Sequence, residues 1–516
     1  MMKPISHAFL VFILVSGVAL VGTEHFGFVQ VSAQAPGLIV VIVSDTTWTK
    51  ADSPHALTVP LLVSEGATLT IEAGATVNLN GYEIRVSGTL VAIGSSTDQI
   101  HISENINLSE GGPEVNPYGR IEFTQYSNGW NEQTGSGCIF EHVFIEYVDI
   151  DSSVSLKINN STIRGDITTG DSSILSNNEI AINNKITNGK ITIGDSSVIS
   201  NNELVGPIYA GSSNLFYNNS IGGSINAGSS NVISNNTITS SVFVGSSSSI
   251  LNNTINGIVD ATESEISNNI IMHKVSYYVD PFTGRTSYSD PGPAIEVRGG
   301  SVISNNTITG QLDYVGIDIE SGTFYISGNI ITDAGTAINA AGGATIEGNL
   351  LIGNDQGIVL SKSNVIIRDN IITGGKKGIV GISGGTDLIE KNLITNHSIY
   401  GIYINMPAVI QNNTIANNTA GIHAHTSMIT INYNNILNNS ENSIYLSNSV
   451  HVNATYNWWG TTDTQAINMT IRDYKYDFDL GTVTFVPFLT EPNPVTHRDN
   501  THHVFLVLHY ILSCQA

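Results

Sequence analysis

"VISNNTIT" stands at Val232–Thr239 and returns unchanged at Val302–Thr309. Near copies surround it: "VISNNEL" from Val198, "ILNNTIN" from Ile250 and "VIQNNTIA" from Val409. With the second Asn of each pair, or its single equivalent, as a marker, the series runs from Asn160 through Asn236, Asn306 and Asn435 to Asn457. Successive gaps are 18, 24, 17, 17, 17, 16, 37, 23, 20, 21, 22, 21, 22 and 22 residues. A compact array near 17 gives way to a wider one near 21 or 22. Fixed periods of this size mark a solenoid.

A second landmark keeps the same beat. Gly194, Gly211, Gly228 and Gly245 each open "GDSS" or "GSS", and a small residue before Ile recurs from Gly316–Ile317 to Ser443–Ile444. Between landmarks, "GIVLS", "GIYIN" and "ITIN" alternate apolar and polar residues with period two and are rich in β-branched side chains, which predicts half-buried strands. No apolar stripe of helical period is long enough for a substantial helix. Short strands joined by bends and stacked about 4.8 Å apart make an all-β parallel β-helix. One coil buries roughly 5–10 kcal/mol of apolar surface. Ordering its backbone costs about 1–2 kcal/mol per residue, so coils are stable only as a stack.

The Asn pairs serve that stack. Asn tolerates the left-handed backbone of a tight corner better than other non-Gly residues, and amides stacked at equivalent corners can bond rung to rung. Several pairs are also N-x-Ser/Thr sequons, at Asn235, Asn252, Asn305 and Asn412. With ladder Asn facing inward, Asn107, Asn396 and Asn468 are the better glycan acceptors.

The totals set the setting. The 516 residues carry 19 basic and 43 acidic side chains, a net charge of −24 that disfavours nucleic acid and anionic lipid as partners. No cofactor is predicted; calcium is the one cation such a surface would hold, weakly. Lys3, the apolar run Ala8–Gly22 and small residues at Ala33 and Ala35 read as a signal peptide over 1–35. The expected location is secreted or on the cell surface, with no stable membrane span after cleavage. Two cysteines exclude a disulfide framework; Cys138 reads as a small core residue and Cys514 lies in the tail.

The expected organisation is an N-terminal cap and larger first coils over 36–158, compact coils over 159–270, and a protruding loop over 271–300. Wider coils follow over 301–457, then a cap over 458–490 and a tail over 491–516. Leu38 to Pro60 is expected to cap the first coil, and Trp458 and Trp459 to cover the last, since an open edge invites aggregation.

These repeats resemble the right-handed parallel β-helix proteins, a family that includes pectate lyases, polygalacturonases and prokaryotic surface proteins. Gly316–Ser447 is similar to periplasmic copper-handling β-helix proteins, whose repeats also pair "NN.I" with "GI.L". The opening "VPLLVSEGATLTIEAGATVNLNGYEIRVSGTLVAIG" (Val59–Gly94) and the closing "YNWWGTTD" (Tyr456–Asp463) look like the ends of secreted members. The resemblance implies a single-stranded right-handed β-helix with capped ends. It implies little about activity, since one solenoid carries many functions.

Candidate sites are few. Asp149 and Asp151 in "EYVDIDSS" share one strand face about 7 Å apart, a candidate hydrolytic pair or calcium site; the plain alternative is a solvated face. His423 and His425 in "GIHAHTS" share another, spaced for a transition metal with a third ligand elsewhere. Tyr403 and Tyr445 stand at the matching places on adjacent coils, so the alternative is an exposed polar face. The insertion Met272–Ala294 carries Tyr277, Tyr278, Phe282, Arg285 and Tyr288, rings and cations unusual in this chain and suited to stacking on sugars. Trp130, in the expanded segment Glu104–Gly137, is a further binding candidate. The favoured function is a non-catalytic exterior β-helix binding glycans or cell-envelope proteins. The alternative is a polysaccharide lyase or glycoside hydrolase with a groove along the coil.

Overall fold

A computed structural model describes residues 29–34, 37–104, 119–181, 190–272, 277–279, 286–288, 292–310, 314–362, 364–426 and 428–496. Each coil gives one short strand to each of three parallel sheets, A, B and C. One compact coil runs Ile225–Ala227 (A), Val232–Ser234 (B) and Thr237–Ile238 (C). It pairs in register with the next coil at Ile225↔Val242, Val232↔Ser249 and Thr237↔Thr254. The fold is the right-handed single-stranded parallel β-helix, and sheet A holds 21 strands among the described residues.

The two spacings have a simple origin. In the wider coil the strands are Tyr400–Ile404, Ala408–Gln411 and Thr414–Ala416, of 5, 4 and 3 residues; in the compact coil they are 3, 3 and 2. Extra length enters the strands, while the B-to-C corner keeps the same two residues, Asn235–Asn236 or Asn412–Asn413. Period-two alternation turns Ile225, Ile233 and Ile238 into an interior that continues from coil to coil. Cys138 lies fully inside it, and burial pushes its thiol up to about 11, which leaves it inert at neutral pH.

The two Asn of each corner have different tasks. Asn235 takes the left-handed backbone, φ 57°, and faces solvent. Asn236 is buried: its Oδ1 accepts from Asn219 N (2.9 Å) and Asn219 Nδ2 (2.9 Å), while its Nδ2 donates to Phe216 O (3.0 Å) and Asn253 Oδ1 (3.0 Å). The same pattern continues up the stack, through Asn269 to Asn306 and on to Asn434 and Asn457. Two expected members are displaced. At the first corner Asn160 holds the left-handed position (φ 50°) and Ser161 the buried one. In "NYNN" Tyr433 takes the bend (φ 59°), so Asn434 joins the ladder. Asn435 instead bonds to Asn493 N (2.8 Å) through its Oδ1. The sequon reading is corrected too: Asn235, Asn252, Asn305 and Asn412 are the bend residues, not the buried ladder members.

The ends are built from the same material. Gly37–Ile42, Thr46–Trp48 and His55–Ala56 supply strands to sheets A, B and C, so the segment from Leu38 is the first rung itself. Val29–Gln34 pairs antiparallel with Gly37–Ile42, across the expected cleavage point at Ala35. At the other end the six-residue helix Thr464–Met469, N-capped by Asp463, leads into Ile471–Arg472 on sheet A and Val483–Thr484 on sheet B. Trp459 is buried against Phe485. The long insertion leaves sheet C at Met272 and returns to sheet A at Ile295; within it Tyr277–Val279 and Thr286–Tyr288 form an antiparallel ribbon with Tyr277 opposite Tyr288. Phe282, Arg285, Asn107 and Cys514 lie outside the described residues.

Candidate functional site: the outer wall of sheet A

In-register pairing turns one outward residue per strand into a column along sheet A. In its upper part the column reads Asp260, Glu296, Asp318, Asn339, Val359, Val380, Tyr403, His423, Tyr445 and Arg472. Below Asp260 the column reads Thr168, Thr192, Tyr209, Asn226 and Phe243, with the Tyr209 and Phe243 rings exposed and separated by Asn226.

Two charged clusters interrupt it. In the lower one Asp149 and Asp151 do share a face. Asp151 pairs with Arg120 at 2.5 Å and Asp149 accepts the Asp166 N–H at 2.9 Å. Burial holds Asp149 above the usual carboxylate range. In the second, Arg298 contacts Glu296, Asp260 at 3.1 Å and Glu320 at 3.2 Å. Burial keeps Glu296 and Asp318 above their ordinary values, and their acidic neighbours add to it.

The upper cluster is aromatic. His423 stacks on Tyr445 with ring centroids 4.4 Å apart and planes 25° from parallel, and meets Tyr403 edge-on at 5.0 Å and Tyr400 at 4.7 Å. Arg472 lies 4.8 Å from the Tyr445 ring centroid and 4.4 Å from that of Tyr476, a cation–π arrangement that closes the stack. His423 is only 7 % exposed, so the expected exposed polar face does not hold there. Neither of its ring nitrogens has a hydrogen-bond partner among the described residues. Burial, with the His425 charge second, lowers its imidazole to about 4, so the ring is neutral at physiological pH.

Copper or another transition metal does not fit this donor set. His425 Nδ1 is bonded to Ser447 Oγ at 2.5 Å, and the neighbours of His423 are phenol rings. Among the described residues no three or more His, Cys, Asp or Glu are placed to share an ion. The two acidic candidates lie on the order of 60 Å from the histidines, at about 4.8 Å per rung. Trp130 is on another wall: it lines a groove of about 760 Å³ on sheet B with Thr68, Val91 and Ile139. Its Nε1 donates to Glu132 at 2.7 Å, and the Lys157 ammonium covers its ring at 4.5 Å. Tyr277, Tyr278 and Tyr288 are placed only by the backbone of their ribbon.

Sequence reading named Tyr403 and Tyr445 as equivalents of His423 without grouping them as a site. Counting the column at its coil spacing, 403, 423, 445, would have grouped them. Arg472 and Tyr476 offered no such signal, because the repeat stops before them, and Tyr400 stands where the adjacent coils carry Lys377 and Ala420.

Residues 267–476, under half of the chain, match a family profile described as "Periplasmic copper-binding protein (NosD)". No curated protein matches the chain. Among solved structures, the chain is similar to the periplasmic alginate epimerase AlgG, at 12 % identity and TM-score 0.21 over 75 % of this chain and 82 % of that one. It is similar to the PL6 family polysaccharide lyase Pedsa3628 from Pseudopedobacter saltans, at 13 % and 0.22 over 89 % and 95 %. A third is the GH136 lacto-N-biosidase from Eubacterium ramulus, at 10 % and 0.23 over 70 % and 64 %. At such scores the architecture rests on the strand registers of this chain alone.

Proposed function

We propose that this protein is a non-catalytic, extracytoplasmic β-helix that holds a glycan against the outer wall of sheet A. The observation that carries the reading is the Tyr400–Tyr403–His423–Tyr445 cluster. These rings lie on the outside of a solenoid whose core is already complete with aliphatic side chains. Tyr209 and Phe243 on the lower wall are single rings separated by Asn226, whereas here four rings from three successive coils touch one another. Rings set flush in a wall offer apolar faces to the C–H faces of a pyranose, with Tyr hydroxyls at the rim for its hydroxyl groups. The aromatic ribbon at Tyr277 and Tyr288 is a second contact in the same reading. The match to a periplasmic family supports a place outside the cytosol, and among the described residues no helix is long and apolar enough to cross a membrane.

The test is a glycan-array screen of the chain without residues 1–35, with release of reducing ends assayed in parallel. Binding that Tyr445→Ala and Tyr403→Ala weaken, without product, supports the proposal. Product formed from any polysaccharide overturns it in favour of the enzyme reading. That second reading has its own observation: Asp260, Glu296 and Asp318 are in-register neighbours about 4.8 Å apart. Burial holds Glu296 and Asp318 above the ordinary carboxylate range, as a general acid needs, with Asp260 left as the neighbouring carboxylate for the base.

A further inference from the structure

The structure assigns the outward Asn of the repeat corners as acceptors for N-linked glycans, arranged in columns along the molecule. Asn218, Asn235, Asn252 and Asn305 hold equivalent positions before a sheet C strand, at φ 55°, 57°, 56° and 55°. Each is exposed, and each is followed two residues later by Ser220, Thr237, Thr254 or Thr307. Asn417 and Asn438 repeat the arrangement at the next corner, φ 57° and 56°, before Thr419 and Ser440.

Three facts combine here. The sequon supplies the residue types an oligosaccharyl transferase recognises. The bend turns the acceptor outward while the middle residue of the sequon, Asn236 for example, is turned inward and engaged in the ladder. These six side-chain amides make no hydrogen bond among the described residues, so attaching a sugar breaks nothing there. The alternative acceptors are less free: Asn396 donates to Thr373 Oγ1 at 3.3 Å, Asn468 accepts from Lys475 Nζ at 2.5 Å, and Asn412 accepts from Asn493 Nδ2 at 3.0 Å. The bend does not itself demand Asn; Gly328, Gly348, Asp369, Lys391 and Tyr433 fill it on later coils, and none of these can accept an N-linked glycan.

The chemistry balances with a membrane-lipid-phosphate-linked oligosaccharide as donor. The Asn Nδ2 forms a bond to the anomeric carbon, the bond from that carbon to the phosphate oxygen breaks, the phosphate leaves with the electron pair, and one amide proton passes to the transferase base. The inference requires export, because such donors act outside the cytosol. Geometry also limits occupancy. Asn218, Asn235 and Asn252 sit on successive rungs about 4.8 Å apart, closer than two hydrated sugar chains can stand, so at most alternate members are filled on one molecule. The B-to-C corner lies across the prism from sheet A, so glycans there leave the aromatic wall uncovered, whereas Asn417 and Asn438 stand at the C-to-A corner just before the strands that carry His423 and Tyr445.

The experiment is glycopeptide mass spectrometry on the protein purified from its native source, with unfolding midpoints of two variants. Sugar is expected on peptides carrying Asn235, Asn305, Asn417 or Asn438. Asn235→Gln should remove the increment at that position. Thr237→Val, which keeps the branched shape at an exposed strand position, should do the same with no shift in midpoint. Recovery of all six peptides unmodified, or a glycan still on Asn235 in Thr237→Val, overturns the assignment.

Discussion

Asn269 and Asn306 are 37 residues apart in the chain, yet Asn269 Nδ2 donates to Asn306 Oδ1 at 3.0 Å, as if no insertion lay between them. The strands agree, with Ile266↔Ile303 and Ile271↔Ile308 in register. The inserted ribbon is an appendage on an uninterrupted stack. An ordinary passage from sheet C to sheet A takes three residues, Asn256, Gly257 and Ile258. Removing 273–291 leaves Gly292, Pro293 and Ala294 for the same passage. That deletion should fold, with an unfolding midpoint within about 2 °C of the parent by circular dichroism. A collapse of cooperative unfolding would show that the ribbon braces the wall.

The ladder should be costly to interrupt. Asn236→Ala leaves the buried Asn219 N–H without its acceptor and removes the ladder bonds of Asn219 Nδ2 and Asn253 Oδ1 to this side chain, a loss of about 1–3 kcal/mol. Asn235→Gly, at the exposed bend one residue earlier, should shift stability by only a few tenths. Denaturant titration of the two variants compares them; equal effects would contradict the division of labour within the pair.

His397 offers a substitution that should improve the fold. It occupies the place that Asn418 and Asn439 hold on the next two coils, and its N–H donates to Asn418 Oδ1 at 3.0 Å. Burial lowers its imidazole to about 4. The folded state therefore resists protonation more than the unfolded chain does. The associated stability is whole above about pH 6.5 and is lost as pH falls toward 4. His397→Asn should remove part of this acid sensitivity, so the midpoint measured at pH 4.5 should rise relative to the parent.

Asp387 behaves in the opposite sense. Burial raises its carboxyl to about 6, against hydrogen bonds from Val365 N at 2.8 Å and from the Asn364 backbone. The unfolded chain gives up this proton first, so the parent loses stability from about pH 4 to 6 and stays lower above that. Asp387→Asn should raise the melting temperature by a few degrees at pH 8 and make little difference at pH 3.5. A gain of equal size at both values would rule out titration as the cause.

Tyr445→Ala should lower affinity for a bound glycan by roughly tenfold or more, since one stacked ring contributes on the order of 1–1.5 kcal/mol. Circular dichroism should be unchanged, because Tyr445 faces away from the core. Isothermal titration with a ligand found on the array reads the outcome.

Architecture was legible because it is written in intervals. Spacing of 17 and then 21 or 22 survives any error about a single residue, and it gave the coil, the strands and the ladder. Phase within a coil was less secure: "NYNN" misplaced the marker because pairs of Asn look alike in a string, while Tyr433 can take the bend as Asn235 does. The wall was legible only in part. His423 and His425 drew notice as metal-type residues, whereas the partners of His423 come from coils above and below, a relation that needs the register. Burial of an outward imidazole also depends on the size of its neighbours, which no single strand records.

The column of carboxamides has a sense. From Asn202 onward the oxygen looks back toward the beginning of the chain and the amino group forward, until Asn457 Nδ2 turns to the Ala454 carbonyl at 2.8 Å. Small dipoles so aligned add up along the prism, as peptide units do along an α-helix, and one end of the molecule is electrically unlike the other. Two copies meeting end to end could extend this vector only head to tail; a mirrored meeting would set like ends against each other.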